Sequence, residues 1–376
     1  MKYKLKDIFD LQMGKTPSRS NSTYWGTKDY KWISIADLSK TGKYISDTKE
    51  YLSEVAIEES GIRVIPANTV VMSFKLSIGK TAITAENMYS NEAIMAFHDR
   101  HVVEILPEYI FYMFKYRNWD KGSNKAVLGK TLNKATLSEI EIDICSIDKQ
   151  KEIVKILDEV MIILAKRESE LSLLNELIKA RFVEMFGDCV ANPKQWKTQS
   201  LEKIANVGSS KRVFVDELKE SGIPFYRGTE VGTLAEGKSI TPELFITEER
   251  YKELSEATGI PQIGDLLMPS ICPDGRIWFV NTDRPFYFKD GRVLWIHLIS
   301  EAYNPVFLLY TLKDRIMTDY SSIASGSTFA ELKIFALKKC QVFETPLELQ
   351  NQFADFVRAI EKSKLPLIKQ STLQNI

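Results

Sequence analysis

Cysteine, histidine and net charge are all in short supply in this 376-residue chain. Its four cysteines, Cys145, Cys189, Cys272 and Cys340, are scattered, with no C-x-x-C pair among them. That spacing argues against a zinc site and a disulfide framework, and it fits a reducing cytosol. The three histidines, His98, His101 and His297, sit in apolar or mixed stretches and read as structural residues, not acid–base partners. Fifty basic residues balance fifty acidic ones, so any nucleic-acid role must rest on local basic patches. No apolar run approaches a membrane span, and the opening residues MKYKLKDIFD lack a signal-peptide core. The expectation is a cytoplasmic protein with no membrane contact.

Catalytic signatures are also missing. Gly-Lys-Thr occurs at 14–16, 79–81 and 129–131, but a P-loop needs another glycine five residues earlier. Those places hold Phe9, Phe74 and Asn124. No Asp/Asn-Pro-Pro-Tyr/Phe tetrapeptide is present to grip a flipped adenine, and no glycine-rich cofactor loop follows a strand. Glu331-Leu332-Lys333 has the Glu-x-Lys spacing of a nuclease, yet the nearest upstream Pro-Asp, Pro273-Asp274, is remote and brings no metal ligands. No catalytic residue, metal or cofactor is therefore assigned to this chain.

What the chain does have is a duplication. YKLKDIFD at 3–10 returns as QSLEKIAN at 199–206, and GIRVIPANTVVMS at 61–73 returns as GIPQIGDLLMPS at 259–270. Gly129-Lys130-Thr131-Leu132 answers to Gly326-Ser327-Thr328-Phe329, and Gln150-Lys151-Glu152-Ile153 to Gln350-Asn351-Gln352-Phe353. Such a period is far too long for a solenoid and implies two similar modules. Short strands are expected at Tyr30–Ile35 and Thr69–Phe74, and buried helices after Pro107 and Pro305. The predicted class is α+β. Two globular modules, 1–148 and 191–345, are separated by long helices at 149–190 and 346–376 in an internal pseudo-two-fold repeat.

The first long helix, capped by Asp148, steps alternately three and four residues through Leu157, Val160, Leu164, Arg167, Leu171, Leu174, Ile178, Arg181 and Met185. That is a coiled-coil seam, and it should stop at Gly187. The second carries Leu349, Phe353, Phe356 and Ile360 at the same spacing. It is shorter, and Pro366 predicts a kink or an end near Leu365.

Three loops bearing a flexible backbone, a cation and a hydroxyl suit phosphate contacts on DNA, although each alone also reads as a solvated turn. The candidate contacts are Lys15, Thr16, Lys75, Lys80 and Lys130, joined by Arg19 and Asn21 near Tyr24, Trp25 and Lys28. The segment from Lys115 to Lys134 is the clearest basic patch and adds Lys121, Asn124 and Lys125. In the second half the corresponding loops offer Lys211, Arg212, Arg227, Arg276 and Ser327. Loop positions persist between the halves while their chemistry changes, as two readers of different specificity would require.

With Gly14-Lys15-Thr16-Pro17, Tyr24-Trp25, Lys31-Trp32-Ile33, Ser77-Ile78-Gly79-Lys80, Gln150-x-x-Ile153 and Arg181-Phe182-x-x-Met185-Phe186-Gly187-Asp188, the chain resembles the specificity subunit of type I restriction–modification enzymes. The resemblance covers nearly the whole chain. It implies two target recognition domains, each reading half of a bipartite double-stranded DNA site. It implies a ruler of two antiparallel helices that fixes the gap and docks two DNA adenine methyltransferase (modification) subunits. By the same resemblance, S-adenosylmethionine, ATP and Mg belong to partner modification and restriction subunits. The competing readings are a two-module protein-interaction scaffold without DNA specificity and a stand-alone nuclease or methyltransferase.

Overall fold

The computed structural model of the chain describes residues 1–75, 77–119, 132–325 and 330–372. It divides into two compact units, Met1–Ala165 and Lys166–Ile376.

In the first unit strands buried at nearly every position, such as Val70–Ser73 and the first four residues of Ile94–Asp99, build one sheet with two buried faces. Its strands run in the order Phe9–Met13, Ile94–Asp99, Val70–Ser73, Thr81–Thr84 and Tyr44–Ile45. Successive side chains point to opposite faces of a strand. Val70, Met72, Met95 and Phe97 accordingly enter one core, with Ile110, Phe111 and Phe114 of the helix Pro107–Lys115. Val71, Ile94 and Ala96 enter another, with Ile33 and Leu38. A three-stranded sheet pairs Trp25–Ile33 antiparallel with Glu50–Leu52 and parallel with Tyr89–Ser90. The unit is closed by Lys2–Lys4, which pairs antiparallel with Glu141–Asp143.

The second unit repeats this design with a main sheet of four strands in place of five. Ala205–Gly208, Val293–Leu298, Leu266–Pro269 and Trp278–Phe279 form its main sheet in that order. Leu266, Met268, Leu294 and Ile296 face one core, while Leu267 and Val293 face the other. Ile223–Tyr226 pairs antiparallel with Phe245–Ile246 and parallel with Tyr287–Phe288. Thr198–Ser200 closes the unit against Gln341–Phe343.

A helix spans Ile147–Phe186 and stops at Gly187, whose φ of 85° is the left-handed conformation expected there. Asp148 lies in its first turn rather than capping it, because the helix already begins at Ile147. In the first unit Val154, Leu157 and Met161 pack on the core, whereas Val160 is 41% exposed. Leu164, Leu171 and Leu174 are half-buried, and Ile178 is fully buried.

The other long helix, Leu347–Thr372, runs antiparallel to the end of this one within the second unit. Phe182 and Phe186 meet Phe353 at 5.4 and 5.7 Å, Arg181 lies over Phe356, and Asn175 accepts a 2.6 Å bond from Lys364. Phe356 and Ile360 pack at the margin of the same core. The helix does not end near Leu365. Pro366 lies inside its span, since the φ that proline fixes, about −65°, is itself a helical value. A second correction concerns Ser34 and Ile35, which are not in a strand. Ser34 caps the helix Ile35–Lys40, its hydroxyl accepting from Asp37 N while the Asp37 carboxylate accepts from Ser34 N.

Candidate nucleic-acid interface

In the first unit the loop after Phe9–Met13 is clamped from several sides. Gly14 N donates to Ile94 O at 3.1 Å and Lys15 N to Ser90 O at 2.8 Å. A Cβ on Gly14 would meet Asn91 O at 2.2 Å and Ser90 O at 2.4 Å, so this approach requires glycine. Trp32 Nε1 donates to the Lys15 carbonyl and Trp25 Nε1 to that of Ser18, both at 3.1 Å.

On this rigid loop Lys15 reaches the Ser60 carbonyl, and Thr16 donates to the Glu92 carboxylate. The Thr16 hydroxyl is the main reason that the Glu92 carboxyl sits below its ordinary range. Arg19 pairs with Glu50 and lies over Trp25 and Trp32. Asn21 is committed to local structure, its amide oxygen accepting from Thr23 N at 3.1 Å and Thr23 Oγ1 at 2.7 Å.

The second loop joins Val70–Ser73 to Thr81–Thr84. Ser73 N donates to Lys80 O, and Gly79 N to Ser73 O, both at 2.9 Å. Lys75 lies over the Phe74 ring, and Lys80 donates to the Ser39 hydroxyl. Gly79, at a φ of 88°, backs onto Trp119, where a Cβ would fall 2.8 Å from Cδ1. That contact brings the loop beside the start of the basic segment. Lys115 lies over Phe111, Arg117 over Trp119, and burial lowers the pKa of both cations. Asn133, counted with that segment, instead caps the helix Lys134–Ser138. Lys121, Asn124, Lys125 and Lys130 lie outside the described residues, as does Ser327.

Equivalent loops occupy equivalent places in the second unit. Ser210 Oγ donates to Phe288 O at 2.5 Å and Lys211 N to Tyr287 Oη at 2.9 Å, fastening that loop to the parallel strand as Ser90 fastens the first. Gly275 backs onto Met317 and Lys313 of the helix Pro305–Ile323, as Gly79 backs onto Trp119. Arg212 meets Asp290 at 3.2 Å, Arg276 meets Asp274 at 2.7 Å, and Arg227 meets Glu230 and Glu243. Burial pushes the Glu230 carboxyl upward, but the hydrogen bonds from Arg227 outweigh it and hold the group down at about 2.

The candidate residues therefore gather on the loops of each unit, but the arginines are not bare cations. Glu50, Glu230, Glu243, Asp274 and Asp290 are their partners, and sequence reasoning missed them as a group. Arg19 and Glu50 are 31 positions apart and Arg212 and Asp290 are 78 apart, so no local spacing announces those two pairs, whereas Glu230 and Asp274 are sequence neighbours of Arg227 and Arg276. Glu331 accepts from Ser270, Lys333 and Arg292. Among the described residues no group of three or more His, Cys, Asp and Glu side chains is placed to hold a metal ion, and no helix is long and apolar enough to cross a membrane.

Comparison with known proteins adds a family to this geometry. The sequence model of the type I restriction modification DNA specificity domain matches residues 1–173. The MjaIX type I restriction enzyme specificity subunit of Methanocaldococcus jannaschii is 24% identical over 95% of this chain and 85% of its own length. The HindI specificity subunit of Haemophilus influenzae is 28% identical over 40% of this chain and 32% of its own. Among solved structures, the S subunit of a type I restriction–modification system from M. genitalium superposes with a TM-score of 0.52 at 14% identity, covering 100% of this chain and 92% of that one. A chain from a structural study of type I system assembly and conformational transition gives 0.51 at 16% identity, covering 98% and 95%. Those two likenesses speak to fold, and the α+β duplicated architecture agrees with them. The chain is thus similar to type I restriction–modification specificity subunits over nearly its whole length, and its residues 1–173 match the DNA specificity domain of that family.

Proposed function

We infer that this chain is the sequence-reading subunit of a type I restriction–modification complex, each unit reading one half of a bipartite double-stranded DNA target. The observation that carries this reading is the duplicated sheet scaffold with altered loop tips. The loop after the first sheet strand presents Lys15, Thr16 and Arg19 in one unit and Lys211 and Arg212 in the other. A shared scaffold fixes where the tips sit, and their side chains decide what they meet.

The long helices would set the gap between half-sites and dock two adenine methyltransferase subunits. Restriction subunits would complete the assembly. Methyl transfer from S-adenosylmethionine and ATP- and Mg-dependent cleavage would then belong to those partners. Two weak readers joined on one chain gain affinity through effective concentration only when both half-sites can be engaged together.

The test is to co-express the chain with its modification subunit and map N6-methyladenine across the host DNA. A split motif with a fixed gap is expected. Exchanging residues 1–148 for those of a relative should alter one half-site and spare the other. Soluble, associated subunits that leave the DNA unmethylated would overturn the reading.

A further inference from the structure

Arg19 is held as a solvated surface arginine is not. Its guanidinium carbon lies 3.8 Å from the Trp25 ring centroid and 4.9 Å from that of Trp32. The Glu50 carboxylate accepts from both terminal nitrogens, with Nη2 to Oε2 at 3.0 Å. The two indoles meet edge to face at 5.1 Å, and each is tied by its own N–H to the loop that carries Arg19. Yet the Arg19 side chain remains 50% exposed.

An arginine has five N–H donors in a rigid planar fork. Glu50 occupies the outer edge, made by Nη1 and Nη2. The side edge, Nε–H with the remaining Nη2–H, has no partner among the described residues. It is a second two-donor fork, and its plane is set by the ring beneath it. Two neighbouring acceptors complement such a fork: the N7 and O6 atoms of guanine in the major groove, or two oxygens of a phosphate.

Electrostatics separates these ligands. A phosphate contact draws its strength from net positive charge. Glu50 cancels the charge of Arg19, and Glu92 is a second carboxylate close enough to act on it. A base edge is uncharged and rewards fixed geometry instead. The geometry points to Arg19 as the guanine-reading residue of the first unit, with Trp25 and Glu50 as positioning residues. This assignment rests on the DNA-reading function proposed above. Among the described residues the corresponding loop of the second unit shows no such arrangement: Arg212 is 68% exposed, pairs with Asp290 and has no ring beneath it.

The experiment maps N6-methyladenine in cells carrying the modification subunit with the wild-type chain, Arg19→Lys, Arg19→Ala or Glu50→Gln. It also titrates each purified complex with the wild-type target duplex at several salt concentrations. Both Arg19 variants should lose selectivity at one G·C position of one half-site by roughly 5- to 150-fold. The other half-site, the gap and the salt slope should stay unchanged. Glu50→Gln should relax the same position less. Arg19→Lys keeps charge and size, so matched melting curves show that a lost preference is not a lost fold. An unchanged motif in both Arg19 variants overturns the assignment. So does uniform weakening on all sequences with a salt slope reduced by about one, the mark of a phosphate contact. Loss of all methylation by variants that melt like the wild type overturns it too. In each of these cases the wild-type split motif leaves the broader function standing, whereas a wild-type chain that directs no split motif removes both.

Discussion

Gln150 and Gln350 make the same three hydrogen bonds. Gln150 Nε2 donates to the carbonyls of Glu104 and Cys145, both at 2.9 Å, and its oxygen accepts from Leu106 N at 2.9 Å. Gln350 Nε2 donates to Ala302 O at 3.2 Å and Thr345 O at 2.9 Å, and its oxygen accepts from Asn304 N at 2.8 Å. Both side chains are fully buried. Each pins the first turn of its long helix to the segment ahead of a buried helix, at Pro107 in one unit and Pro305 in the other.

Removing either amide strands buried backbone groups, each costing about 1–3 kcal/mol. Gln150→Ala and Gln350→Ala should each destabilise the chain by roughly 2–4 kcal/mol. Urea denaturation reads this directly, and a loss under about 0.5 kcal/mol in both would contradict it, since that is what an ordinary surface substitution does.

Glu230 sets a pH window. Its folded pKa of about 2 lies below the ordinary 4.5, so it binds its proton less readily in the native state. The stability it contributes is complete above roughly pH 5 and is lost as pH falls toward 2. Glu230→Gln should therefore lower the melting temperature at pH 7 and make progressively less difference as the pH is lowered from 5 to 2. A gap between the two proteins that widens on acidification would reverse the sign argued here.

Gly14→Ala should disrupt the loop that carries Lys15 and Arg19. The added methyl group meets backbone oxygens of Ser90 and Asn91, which have little room to retreat. The expected cost is about 1–3 kcal/mol or more, as for overpacking of a tight site. Recognition should fail at one half-site while far-UV circular dichroism stays close to wild type. Wild-type methylation by the variant would show that the clamp is dispensable.

Thiol reactivity should be uneven. Burial raises the pKa of Cys272 to about 12 and of Cys340 to about 11, and it raises that of Cys189 further. Cys145 is only half-buried. A chromogenic disulfide reagent at pH 8 should report one fast thiol in the native protein and three more on unfolding. Two or more fast thiols would mean that the second unit opens readily.

The sequence made the large features legible because their signals are long. The helix over Ile147–Phe186, its stop at Gly187 and the duplication all emerge from many residues agreeing. Short-range detail fared worse. Stepping by three and four selected Val160, but the core takes Val154, Leu157 and Met161, the same spacing with the three- and four-residue steps in the opposite order. Strands of two residues such as Tyr89–Ser90 carry no periodicity to read. At the candidate site the loops were found from glycines and lysines. Glu50 and Asp290 come from distant segments, and only the fold brings them to Arg19 and Arg212, whereas Glu230 and Asp274 are sequence neighbours of Arg227 and Arg276.

The short ladders that close each unit have a consequence for synthesis. Lys2–Lys4 must wait for Glu141–Asp143, and Thr198–Ser200 for Gln341–Phe343. At about 5–20 residues per second the ribosome delivers each partner strand roughly 7–30 s after the first. During that interval the waiting strand is an open edge, able to pair with another nascent chain. The strand of each ladder that is made first is therefore among the last segments to be protected. A translational pause just upstream of residue 141 or 341 would prolong the exposure most.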